Sequence, residues 1–233
     1  MREIVLDTET TGLDPAKGDR LVEIGCVELL NTIPTGKEYH VYINPERDMP
    51  EAAFNVHGLS QAFLSDKPKF ADVATEFLEF IENAPLIIHN AEFDIRFLNA
   101  ELARVQKPDL EMHRVIDTLM LARRKHPGQS NGLDALCQRY NIDNTKRTKH
   151  GALIDSYLLA EVYAELTGGR QTAMSLDQNA ARRGSVKAPT KQRPEPFKWG
   201  ASADEQSAHA GFIAEMGEKA IWTLYVDQDK ALG

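Results

Sequence analysis

Ile4-Val5-Leu6-Asp7-Thr8-Glu9 opens the chain with an apolar run that ends in two carboxylates one residue apart. Residues i and i+2 of a β-strand share a face, so Asp7 and Glu9 point the same way. Like charges held that close each raise the cost of ionising the other. A divalent cation removes the conflict, and hard carboxylate oxygens suit Mg²⁺ or Mn²⁺. A second D-x-E, Asp109-Leu110-Glu111, follows Pro108 in a loop-like stretch and is assigned no chemistry.

Working outward from this strand, residues 2–8, 21–30 and 37–44 read as three strands, separated by turns at Gly12 to Gly18 and Pro34 to Gly36. Such short links predict an antiparallel meander. Phe70, Val73, Phe77, Phe80 and Ile81 then recur at helical spacing. Pro85 to Ile88 reads as a short buried strand and 91–105 as a helix. A brief strand near 114–116 precedes helices at about 118–125, 131–140 and 152–166, with Asp117 capping the first of these. The pattern predicts an α/β domain over residues 1–168: a mixed sheet with helices on both faces. Ligands usually sit at the ends of the strands in such sheets.

At 233 residues and 42% apolar composition the chain can bury a real core. No run approaches membrane-spanning length, so no membrane association is expected. The N-terminus shows no basic stretch followed by an apolar one, hence no export signal. Cys26 and Cys137 match no metal or disulfide spacing and read as reduced, packed residues of a cytoplasmic protein. A formal charge of −8 argues against holding nucleic acid by bulk electrostatics, though not against reaching a phosphodiester through bound metal. Positive charge is local: Arg123-Arg124-Lys125 and Lys146-Arg147-x-Lys149 are each either a solvated face or a phosphate contact.

Beyond Gly168-Gly169 the composition changes. Residues 169–199 read as a flexible basic linker, with seven Lys or Arg against Asp177 and Glu195. Order resumes near Ser202, whose spacing to Glu205 suits a capping box. His209, Phe212, Ile213 and Met216 follow at helical spacing, and Ala220 to Val226 reads as a strand. A helix–strand segment this small, 200–233, cannot bury a core of its own. Its aromatics need cover from a partner or from the main domain.

Two further stretches carry chemistry. His89-Asn90-Ala-Glu-Phe93-Asp94 runs from a strand end into a helix, and His150-Gly151-Ala-Leu-Ile-Asp155 places a histidine ahead of another carboxylate. Both have H-x4-D spacing, so spacing alone does not say which histidine is catalytic. Five residues along a continuous helix turn through about 500°. His150 must therefore sit in the approach to its helix, with Gly151 as pivot, to reach the same site as Asp155.

These elements, in this order, resemble the DEDDh family of 3′→5′ exonucleases: D-x-E on the first strand, H-N-A-x-F-D on a middle helix and H-x4-D on a late one. Val56-His57-Gly58, Leu133-Asp134-Ala-Leu-Cys137 and Lys146-Arg147-Thr-x-His150-Gly-Ala resemble the proofreading epsilon group that serves bacterial DNA polymerase III. The resemblance implies an RNase H-like fold with a five-stranded sheet and Asp7, Glu9, Asp94 and Asp155 around two Mg²⁺ or Mn²⁺ ions. It makes His150 the general base and a DNA 3′ end the substrate. Thr8, Glu9, Thr10, Gly12, His57, His89, Asn90 and Phe93 become candidates for holding the terminal nucleotide, with a satisfied structural role the alternative for His57 and His89.

Gln171, Met174 and Leu176 resemble the peptides that bind bacterial sliding clamps, and the resemblance implies that 200–233 docks on the polymerase alpha subunit. Two alternatives stay open: an RNA-trimming exonuclease of the RNase T or oligoribonuclease kind, and a mainly structural subunit joining polymerase to clamp.

Overall fold

The computed structural model describes residues 1–145, 147, 149–168 and 200–217. The chain divides into two compact units, Met1–Ser175 and Leu176–Gly233. The first has an RNase H-like architecture. Its sheet holds β1 (Arg2–Thr10), β2 (Leu21–Leu30), β3 (Ile33–Tyr42), β4 (Leu86–Ile88) and β5 (Val115–Asp117) in the order β3-β2-β1-β4-β5. The β1–β2 and β2–β3 pairs are antiparallel, as the short links require, and β4 and β5 extend the sheet in parallel. Helices α1 (Glu51–His57), α2 (Gln61–Leu64), α3 (Phe70–Ile81), α4 (Ala91–Arg104), α5 (Thr118–Lys125), α6 (Leu133–Tyr140) and α7 (Ala152–Thr167) complete it.

Alternation along β1 sorts the layers. Ile4 and Leu6 pack with Phe70, Phe77, Ile95, Phe97 and Leu102 of α3 and α4. Val5, on the other face, packs with Val27, Leu29, Leu159 and Tyr163 under α7. Each such side chain, fully buried, contributes roughly 1.5–3 kcal/mol. A forked pair, Arg20 Nε to Glu101 Oε1 at 2.5 Å and Arg20 NH2 to Glu101 Oε2 at 2.9 Å, ties α4 to the start of β2. Both cysteines are buried and free.

The β2–β3 hairpin departs from the sequence reading. The turn is not Pro34 to Gly36 but Asn31-Thr32, both with positive φ (52° and 66°), directly linking Leu30 and Ile33. Two consecutive positive φ angles match the twist of a tight hairpin. Pro34 lies inside β3, where an edge strand tolerates a missing N–H, and the register shifts between Val27 and Leu29. The short helices α1 and α2 were not expected either. Asp117 caps α5 as expected, accepting from Leu119 N–H at 2.8 Å and Met120 N–H at 3.2 Å.

Among the described residues of the second unit, α8 (Ala203–Met216) forms with the expected Ser202–Glu205 capping box. The strand expected over 220–226 and the peptide at Gln171, Met174 and Leu176 lie outside the described residues. Among the described residues no helix is long and apolar enough to cross a membrane.

Candidate metal centre

Asp7 and Glu9 sit where β1 ends, on the face covered by α7. Asp7 pairs across to Gly25 of β2, Glu9 to Glu23, and the register then shifts between Glu9 and Thr10. A shift of this kind bends a strand and re-aims its side chains. Gly25 is also the point where β2 and α7 meet. A Cβ built there would lie 2.3 Å from both Ala152 C and Leu153 N, and Gly25 O accepts a hydrogen bond from Ser156 Oγ at 2.9 Å. The absence of a side chain thus brings the first turn of α7, with Asp155, down onto the end of β1. Backbone conformation does not demand glycine here; the close approach does.

Asp94 arrives from the other side. It lies in the first turn of α4, where a negative charge is favourable, and its Oδ1 accepts from Thr8 Oγ1 at 2.7 Å. Thr8 faces opposite to Asp7 and Glu9, so the carboxylates converge over the end of β1 from both faces of the sheet. Asp117 steadies α4 by accepting from Ala91 N–H at 3.3 Å.

His150 precedes α7 on an extended approach. Its N–H donates to Val56 O at 3.3 Å, and its Nδ1 lies 3.3 Å from Asp155 Oδ2. Gly151 has φ −160°, extended backbone that any residue adopts. One ligand cluster stands out among the described residues: oxygens of Glu9 and Asp155 and a ring nitrogen of His150 all lie within 4.8 Å of one another. Neither Asp7 nor Asp94 is in it, and Asp94 Oδ1 is engaged by the Thr8 hydroxyl.

The electrostatics are those of an acidic cluster. Burial, then the charges of Asp94, Glu9, Asp155 and Glu23, push the Asp7 carboxyl well above its ordinary range. Burial and then Glu23 raise Glu9 to about 8. Burial raises Asp94 to about 7, against the opposing hydrogen bond from Thr8. Such groups resist being charged together, and a cation among them lifts the penalty. The donor set therefore fits a hard divalent ion: carboxylate oxygens, one imidazole, and a buried Asp155 Oδ1 with no well-aligned hydrogen bond.

The other sequence candidates fall around this centre rather than in it. Thr10 Oγ1 donates to Gly12 O at 2.6 Å, and a Cβ on Gly12 would collide with the Asp19 carboxylate. His57, buried at the end of α1, accepts from Leu59 N–H at 3.0 Å, and burial lowers its basicity. His89 Nδ1 pairs with Thr118 Oγ1 at 2.9 Å, and His89 and Asn90 line a surface cavity with Arg123 and Asn131. Phe93 packs on Phe97 with ring centroids 5.0 Å apart and the rings tilted by 46°. Asp109 and Glu111 are exposed, with Glu111 paired to His113.

The sequence reading missed Glu23 and the contact that Arg147 makes. Glu23 faces Glu9 across the β1–β2 pair and is held by His40 Nε2 at 2.7 Å. Only the strand register reveals it. Arg147 is neither solvated nor open: its guanidinium contacts Asp155. Lys125, from the other basic run, donates to Glu165 O at 2.7 Å and Leu166 O at 3.2 Å near the end of α7.

The family model described as exonuclease, of the RNase T type, matches residues 4–163. The chain belongs to this exonuclease family. It is a DEDDh-type 3′→5′ exonuclease that resembles DNA polymerase III epsilon subunits. One from Rickettsia felis is 56% identical over 179 residues, covering 76% of this chain and 78% of its own length. The Escherichia coli K12 subunit is 49% identical over 181 residues, 75% of this chain and 74% of its own. That of Salmonella typhimurium is 42% identical over 236 residues, 95% of this chain and 97% of its own. Among solved structures, exonuclease X in complex with 5′ overhanging duplex DNA has 26% identity and a TM-score of 0.56, covering 71% of this chain and 90% of its own. The nuclease domain of 3′hExo, bound to rAMP, shares the fold at 17% identity and a TM-score of 0.62, covering 71% of this chain and 91% of its own.

Proposed function

We propose that this exonuclease is the proofreading subunit of a bacterial replicative DNA polymerase, removing mismatched 3′-terminal nucleotides as 5′-monophosphates. The observation that carries the reading is the convergence of Glu9, Asp155 and His150 beside the electrostatically frustrated Asp7, in a chain so similar to epsilon subunits. Two Mg²⁺ or Mn²⁺ ions, when bound, would lower the pKa of an attacking water and stabilise the leaving 3′-oxygen in an in-line displacement. Asp7, Glu9, Asp94 and Asp155 would hold them, with Glu9 and Asp155 completing the site of the nucleophile and Asp94 supporting the second ion. Thr8 positions Asp94 through their 2.7 Å hydrogen bond. His150, 47% exposed on its loop, takes the proton from the water as general base. The water oxygen joins phosphorus, the bond to the preceding 3′-oxygen breaks, and that oxygen takes up a proton from solvent.

Residues 1–168 form the nuclease domain and 169–199 a tether. Gln171, Met174 and Leu176 engage the sliding clamp, and 200–233 dock on the alpha subunit, where buried aromatics would supply affinity. Such an assembly works in the cytoplasm. The similarity to epsilon subunits, which extends over 95% of this chain in one relative, supports these assignments.

The decisive assay compares removal of matched and mismatched 3′ nucleotides from DNA primers, and from RNA of the same sequence, with and without the alpha subunit. Faster trimming of mismatched DNA ends is expected. Preference for RNA would replace the reading with the RNA-trimming alternative. Absence of metal-dependent trimming would leave a structural subunit. Clamp capture by the wild-type chain, but not by a Gln171/Met174/Leu176 triple alanine variant, tests the tether.

A further inference from the structure

Arg147 occupies the metal centre. Its Nε lies 2.5 Å from Asp155 Oδ1 and its NH2 2.7 Å from Asp155 Oδ2, so one guanidinium spans both oxygens of a carboxylate that is only 4% exposed. The same NH2 stands 2.5 Å from His150 Nδ1, and NH1 stands 2.5 Å from Asp134 Oδ1 on α6. The Arg147 side chain is 7% exposed, against 65% for Asp134. This is not a surface ion pair. A buried cation bridges Asp134 on α6 and Asp155 in the first turn of α7.

The atoms it holds belong to one proposed metal ligand, Asp155, and to the proposed general base, His150. Asp155 and His150 supply two of the three ligand atoms in the cluster with Glu9. A Mg²⁺ ion takes carboxylate oxygen at about 2.0–2.1 Å and requires near-octahedral room. A guanidinium lying 2.5 Å and 2.7 Å from the two Asp155 oxygens competes with such an ion for that carboxylate. Because an arginine N–H only donates, its contact with Nδ1 also engages that nitrogen's lone pair. Ligand and general base are thus held by one side chain.

We propose that Arg147 is a resident counter-ion for the metal centre: it holds Asp155 and His150 while no divalent cation is bound, and it must leave Asp155 for the cation to enter. The inference rests on the reading of Asp155 as a metal ligand. Arg147 is a positioning residue in this scheme. It keeps a buried carboxylate from standing uncompensated, which is strongly unfavourable, and on release it stays tethered through Asp134 at the mouth of the site. The consequence is a trade: the centre is stable without metal and binds metal more weakly than its carboxylates alone would.

Mn²⁺ binding measured by calorimetry and by the electron paramagnetic resonance of free Mn²⁺ tests this without reference to activity. Arg147→Gln should bind Mn²⁺ about tenfold or more tightly, since the displaced contacts are charge-assisted. Its metal-free form should melt at a lower temperature than wild type, and Mn²⁺ should raise that temperature more. Arg147→Lys, which keeps the charge but not the fork, should lie between the two and serves if the glutamine variant does not fold. Equal or weaker Mn²⁺ binding by either variant overturns the proposal and leaves Arg147 a structural or substrate-contacting residue. Wild-type and Asp155→Asn proteins binding Mn²⁺ equally well would instead sink the underlying assignment of Asp155.

Discussion

Gly25→Ala should disable the enzyme without altering any group that touches metal or substrate. The added Cβ would meet Ala152 C and Leu153 N at 2.3 Å and Ala152 O at 2.5 Å, all backbone atoms that cannot rotate away. Ordinary contact begins at 3.4 Å, so β2 and the first turn of α7 must part by about 1 Å in a close-packed interior. Asp155 sits in that turn, and Ser156 would lose its 2.9 Å bond to Gly25 O. Overpacking of this kind costs about 1–3 kcal/mol of stability. Displacing a reacting constellation by about 1 Å costs on the order of 100-fold in rate. Urea unfolding gives the first quantity, and turnover of a 3′-labelled single-stranded DNA with saturating Mg²⁺ gives the second. Gly132→Ala is the control, because nothing lies within 4 Å of its Cβ position and its φ is −66°. A Gly25→Ala enzyme turning over within threefold of wild type would refute the argument that this close approach sets the position of Asp155.

Other outcomes follow from the same geometry. Asp7→Ala should abolish Mg²⁺- or Mn²⁺-dependent trimming of 3′ ends while the metal-free protein stays folded, because it removes a buried carboxylate beside Asp94, Glu9 and Asp155 whose charge only a bound cation would compensate; normal activity would end the two-metal assignment. His150→Ala should lower kcat by about 10²–10⁴-fold with much less effect on Mn²⁺ affinity. Its place in the ligand cluster gives the alternative weight: parallel loss of affinity and rate would make it a ligand. The raised carboxyls set a pH dependence for the metal-free protein. Glu9 moves from 4.5 to about 8 and Asp94 from 3.8 to about 7 on folding, so between these values the native state binds more protons than the unfolded chain. This contribution to stability is fully present below pH 4 and is lost as pH rises to about 8. Denaturation in EDTA at pH 5 and pH 8 measures this, and stability that is flat or rises over that window would contradict it. Saturating Mg²⁺ should flatten the curve.

Much of the fold was legible because its signals are local. Alternation along residues 2–8, the Phe70 to Ile81 period and the capping serine at 202 each report on a neighbourhood of a few residues, where backbone geometry alone decides which side chains share a face. The hairpin failed for a comparable reason. Pro34 and Gly36 look like turn residues, but register with β2 places them in an edge strand and assigns the turn to Asn31-Thr32. The carboxylates were legible as candidates because Asp7 and Glu9 share a strand face and because the order of motifs is specific.

What sequence determined by itself was which residues are available: a mixed sheet, four carboxylates and a histidine in a recognisable order, and acidic groups that call for a cation. Which of them meet was decided in three dimensions. Thr8 holds Asp94 across 86 positions, Gly25 lets Asp155 descend onto β1, Glu23 stands opposite Glu9, and Arg147 turns to Asp155 from a run that reads as a solvated face or a phosphate contact. Local propensity carries no information about contacts between distant segments. Those are selected by the packing of whole layers, and the charge cluster at the end of β1 exists only once both faces of the sheet are covered.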